Sequence, residues 1–75
     1  MANMKLQFTD HAQYRIFFER NISAEQIKEV IGKPDSSEKI QNDLIKSRKL
    51  LDKRLLSVVY SRKGNVYLVI TAYFQ

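Results

Sequence analysis

His11 and Arg15 stand four positions apart, and four residues of an α-helix bring a side chain back to nearly the same face. A pair so placed suits a phosphate, since guanidinium offers fixed charged donors and imidazole titrates near neutral pH. The plainer role is structural, with His11 extending an N-terminal cap and Arg15 stacking on an aromatic ring. Arg20, Arg48 and Arg54 fall at element ends or on a middle strand, where isolated arginines are usually solubility charges. Tyr60, Tyr67 and Tyr73 suit sheet packing better than proton transfer, because an unperturbed phenol ionises near pH ~10. Thr71 is a good β-former in an apolar run. No two carboxylates are spaced for acid–base work, and two glycines are too few for a phosphate-cradling loop. On residue types and spacing alone, the function is undecided.

The bulk composition narrows the classes. Seventy-five residues make one small domain, which buries only about 60% of its unfolded surface and has room for a single core. With no cysteine and one histidine, neither a disulfide framework nor a structural zinc set is expected. No metal and no cofactor are expected. No apolar run approaches the roughly 20 residues of a membrane span, and the N-terminus lacks a signal-peptide core. The expectation is a cytoplasmic protein without membrane contact. Thirteen Lys and Arg against eight Asp and Glu give a net charge of +5. That balance suits a polyanion such as nucleic acid, and equally suits ordinary solubility.

The elements that must position these side chains read as helices first and strands afterwards. Met1 to Asn3 reads as a loose end, and Lys5 to Phe8 as a short extended lead-in. Thr9 offers a helix N-cap with Asp10 in the first turn. The helix runs to about Asn21, which tolerates the left-handed conformation. Ser23 opens a second helix with a Ser-x-x-Gln capping box completed by Gln26. Ile27, Val30 and Ile31 form its buried stripe, and Gly32 with Pro34 ends it. Ser36 to Gln41 is a weak polar strand, Asn42-Asp43 a turn, and Leu44 to Leu51 a second strand. Asp52-Lys53 connects to a final hairpin, Arg54 to Tyr60 and Val66 to Phe74, around Gly64 and Asn65. Two helices followed by four strands predict an α+β domain with both helices on one face of a four-stranded antiparallel meander.

Loop length decides which hairpin residues share a face. A two-residue loop sets Leu56, Val58 and Tyr60 beside Val69, Thr71 and Tyr73. A three-residue loop centred on Lys63 and Gly64 sets them beside Leu68, Ile70 and Ala72. The second choice separates an aliphatic face from a hydroxyl-bearing one and is preferred. It buries Val58, Leu68 and Ile70 under the helices with Ala12, Ile16, Ile27, Val30 and Ile31.

One pattern spans almost the whole chain. It reads Phe8-Thr-x-His11-Ala-x-x-Arg15-Ile-x-x-x-Arg20-Asn-Ile22-Ser, then Ile27-x-x-Val30 and Pro34. Leu56-x-Val58-Val-Tyr60 and Val69-Ile-Thr-x-Tyr73 complete it. The pattern resembles a prokaryotic domain-of-unknown-function family with F-T-x-H-A-x-x-R near the start and V-I-T-x-Y at the end. That family is similar to the BrnT and RelE toxins, within the barnase-like and RelE-like ribonucleases. Members often carry Gly where this chain has Asn21. The resemblance implies a RelE/BrnT-like fold and a toxin of a type II toxin–antitoxin pair that cuts RNA without metal. The matching catalytic positions are His11 and Arg15 in the helix, with Arg54, Thr71 and Tyr73 in the strands. Substrate contacts are expected from Arg20, Arg48 and Tyr60. RNA and a cognate antitoxin are the implied partners. Without a metal-ligand set, the expected route is attack of the ribose 2′-hydroxyl on its own phosphate. The other readings are a non-catalytic module that binds RNA or protein through the same basic face, and a homodimer formed by pairing of sheet edges.

Overall fold

Helix α1 starts where Thr9 holds an extended backbone and its Oγ1 accepts the Ala12 N–H at 3.0 Å. The computed structural model describes residues 4–75, so the expected loose end Met1 to Asn3 lies outside the described residues. Only the first turn of the helix, α1 (Asp10–Gln13), is α. The chain then widens into a π-helical segment, Tyr14–Glu19, closed by the Arg20 N–H on the Arg15 carbonyl at 2.9 Å. A turn closed by i→i+5 bonds brings residues four apart almost into line. Ala12, Ile16 and Arg20 therefore follow one another along the side that meets the sheet, and Ala12 and Ile16 are buried there. Asn21 takes the expected left-handed conformation at φ 55. Ile22 bonds back to the Ile16 carbonyl and drops into the core.

Helix α2 (Ala24–Gly32) begins with the capping box read from the sequence: Gln26 N–H donates to Ser23 Oγ, and Ser23 N–H to Gln26 Oε1. Its buried stripe is the expected Ile27, Val30 and Ile31.

The strands are β1 (Lys5–Phe8), β2 (Ser36–Lys39), β3 (Leu44–Leu51), β4 (Arg54–Lys63) and β5 (Val66–Phe74). They form one sheet in the order β1-β5-β4-β3-β2. The fold is α+β, but the sheet is five-stranded and mixed, which overturns the expected four-stranded antiparallel meander. The lead-in is the fifth strand: β1 runs parallel to β5 from Lys5 opposite Val66 to Phe8 opposite Val69. Its alternation explains the pairing. Leu6 and Phe8 face the helices and pack on the core, while Lys5 and Gln7 face away.

Both short connections expected at Asn42-Asp43 and Asp52-Lys53 have two successive residues at positive φ, the signature of type I′ hairpin turns. In the last hairpin Lys63 pairs with Val66, so the loop is Gly64 and Asn65 alone, with Gly64 at φ 61. The preferred three-residue loop is therefore wrong at the tip. Further along, the register shifts between Val59 and Tyr60: Tyr60 pairs with Val69, Val59 with Thr71, and Val58 with Ala72. Ile70 is the extra residue of a β-bulge. Val69 and Ala72 are buried under the helices, in place of the expected Leu68 and Ile70, which are half-buried.

The core joins Ala12, Ile16, Ile22, Ile27, Val30 and Ile31 to Leu56, Val58, Tyr60, Val69 and Ala72. All the strand residues in this set share one sheet face by their pairing. Both helices lie on that face. No described helix covers the other one.

Candidate nucleic-acid interface

The uncovered face owes its composition to strand alternation. On β3, every second residue from Leu44 turns away from the helices, which brings out Lys46 and Arg48. Register then aligns the strands. One cross-strand row runs Glu38, Lys46, Val59, Thr71, and the next runs Ser36, Arg48, Ser57, Tyr73. The Lys46 ammonium stands 5.4 Å from the centre of the Tyr73 ring. Arg48 Nη2 donates to Glu38 Oε1 at 2.6 Å. Ser57 is fully buried beneath this surface and donates to Gln75 Oε1 at 3.0 Å.

Arg20 adds a third cation from the end of the π-helical segment. β1 stops pairing at Val69, so the outer edge of β5 is open from there on. Arg20 lies along that edge, its Nη1 donating to the Ala72 carbonyl at 3.3 Å, with Thr71 Oγ1 at 3.5 Å. The face thus presents an ammonium and a guanidinium on β3, a second guanidinium at the β5 edge, a threonine hydroxyl and a phenol. Charged donors around a strip with hydroxyl and aromatic groups can hold a phosphate and pack a base or ribose beside it.

The residues singled out in the sequence divide among three places. Arg20, Arg48, Thr71 and Tyr73 meet on the uncovered face. Arg54 is on the opposite side, its guanidinium 4.0 Å from the centre of the Phe74 ring. Tyr60 is also on the helix side, 5% exposed, with its hydroxyl 3.1 Å from Ser47 Oγ. Ser47 is in turn 2.9 Å from Ser37 Oγ, a chain of hydroxyls that satisfies a buried polar strip. His11 and Arg15 are exposed on the helical layer. Among the described residues, neither side chain has a hydrogen bond or ion pair. The four-residue spacing that made them neighbours on paper does not bring them to the sheet.

Lys46 is the functional candidate that sequence reading passed over. Its signal was present in the spacing: Lys46 and Arg48 are two apart on one strand, as Thr71 and Tyr73 are on another. Two such pairs share a sheet face whenever the register brings them level. Among the described residues, no three His, Cys, Asp or Glu side chains gather as a metal set, and no helix is long and apolar enough to cross a membrane.

A family model described as Domain of unknown function (DUF4258) matches residues 8–74. No curated protein and no solved structure matches the chain.

Proposed function

We propose, from the premise that the chain belongs to the DUF4258 family of unknown function, that it binds RNA on the uncovered sheet face and cuts it there without metal. The observation that carries this reading is the pair of adjoining rows that set Lys46 and Arg48 beside Thr71 and Tyr73. The net charge of +5 and the resemblance to toxin ribonucleases support it. Lys46, Arg48 and Arg20 hold the scissile phosphate and offset the charge that grows on its oxygens during attack. The ribose 2′-oxygen bonds to phosphorus and loses its proton to water as the 5′-oxygen leaves. Tyr73 is the proton donor placed on the same face for that leaving oxygen. The products are a 2′,3′-cyclic phosphate and a free 5′-hydroxyl.

The test uses a short labelled RNA in EDTA, beside the same RNA with a 2′-deoxy substitution at the cut site. Cleavage of the first alone is expected. Tyr73→Phe should slow it about 10²–10⁴-fold, the span for removal of an acid–base group, with RNA still bound. His11→Ala should stay within a few-fold of the parent, because His11 lies on α1 away from these rows. Cutting of the deoxy substrate refutes the route, and binding without any cutting leaves a non-catalytic RNA module.

A second reading has its own observation. Tyr14 and Phe18 are 59% and 78% exposed on the π-helical segment, with ring centres 5.9 Å apart. Adjacent exposed aromatics mark a surface that a protein partner covers. An inhibitory partner of the antitoxin kind would seat here, on the helical layer, while the sheet face takes RNA.

A further inference from the structure

The proposed RNA face already contains an anion. Glu38 reaches from the edge strand β2 to Arg48 at 2.6 Å, and register places it directly opposite Lys46. One carboxylate, in the row that Lys46 shares, therefore holds the Arg48 guanidinium, while the Lys46 ammonium turns across the sheet to Tyr73. A carboxylate and a phosphate use the same donor geometry on a guanidinium, so both cannot hold the same Arg48 fork. We infer that Glu38 occupies the seat of an RNA phosphate, and that RNA must displace it to engage Arg48 alongside the Lys46 ammonium and Tyr73. The inference rests on the RNA-binding reading.

Two features make this carboxylate displaceable. The Glu38 side chain is 52% exposed and that of Arg48 27%, and an ion pair so open to water is weak. All four residues of β2 are exposed, and the strand pairs only with β3 at the sheet border. The arrangement selects its ligand. A single phosphate or a monoanion gains little by replacing one carboxylate. A phosphodiester backbone contacts several cations at once and gains across the whole row. Glu38 thus lowers affinity for every anion and favours the polymeric ones.

The test is fluorescence anisotropy with a labelled single-stranded RNA, titrated at several salt concentrations against the parent protein, Glu38→Gln, Glu25→Gln and Glu38→Gln/Arg48→Ala. Glu25→Gln makes the same change in net charge on α2, far from the sheet rows. Glu38→Gln is expected to bind about tenfold tighter, with a salt slope steeper by about 0.7, one single-strand phosphate contact. Glu25→Gln should match the parent, and adding Arg48→Ala should remove most of the gain. The inference is overturned if the parent binds RNA and Glu38→Gln binds no tighter. Equal tightening by Glu25→Gln also overturns it, because total charge would then be the cause. If no variant binds RNA, the RNA reading itself fails and this inference falls with it.

Discussion

Val69 and Ala72 are three positions apart on one strand, yet both side chains are fully buried under the helices. A regular strand forbids this, since residues an odd number apart point to opposite faces. The bulge at Ile70 makes it possible by turning the strand over once between them. Everything before the bulge obeys one alternation and everything after it the other.

The bulge fixes where truncation hurts. Val69→Ala empties space in the core cluster it shares with Ile16 and Val58 and should cost about 2 kcal/mol in urea unfolding. Ile70→Ala trims a half-buried side chain that faces no cross-strand partner and should cost under about 1 kcal/mol. The reverse order would place Ile70 in the core and remove the bulge from the account.

Salt dependence tells the two sheet faces apart. Lys46→Ala and Arg48→Ala should each flatten the dependence of log affinity for single-stranded RNA on log salt by up to about 0.7. The slope should fall less for Arg48, whose charge is shared with Glu38. Arg54→Ala removes an equal charge from the side where the guanidinium stacks on Phe74, and the slope should not change. An Arg54 effect as large as that of Lys46 would move the binding surface to the helix side.

The turn at Asp52-Lys53 leaves room for a gain. Lys53 sits at φ 69, a conformation that strains a side chain with a Cβ and that type I′ turns normally give to glycine. Lys53→Gly should raise unfolding stability by about 1 kcal/mol. A lower thermal midpoint for this variant would show that the lysine side chain makes a contact worth more than the strain.

How far the sequence reached follows from the range of each signal. Caps and turns are local, and they were legible: the Thr9 and Ser23 caps, Asn21, and the two turns at Asn42-Asp43 and Asp52-Lys53 stand where the residues place them. The pairing of Lys5–Phe8 with the last strand was not legible, because four residues carry no mark of which distant edge they will join. The bulge escaped for a related reason, since Val69-Ile70-Thr71 reads as unbroken alternation until a partner strand imposes its register. The candidate site was half legible. Arg20, Arg48, Thr71 and Tyr73 were named from the sequence, but Arg54 and Tyr60 were separated from them by a parity that only pairing determines. The widening of the first helix into π winding left no pattern in residue types, and it is what carries Arg20 to the β5 edge.

The parallel pairing of β1 with β5 also sets an order in time. β1 is made before the other described elements, and its partner β5 only after every other described strand and both helices have appeared. During synthesis, Leu6 and Phe8 therefore stay without their final neighbours, and the β5 edge closes last. Non-local pairing of this kind slows folding, because nearly the whole domain must be looped before the contact forms. A nascent chain of this protein holds its helices and the inner hairpins early, and acquires its complete sheet only in one late step that joins its opening strand to its closing one.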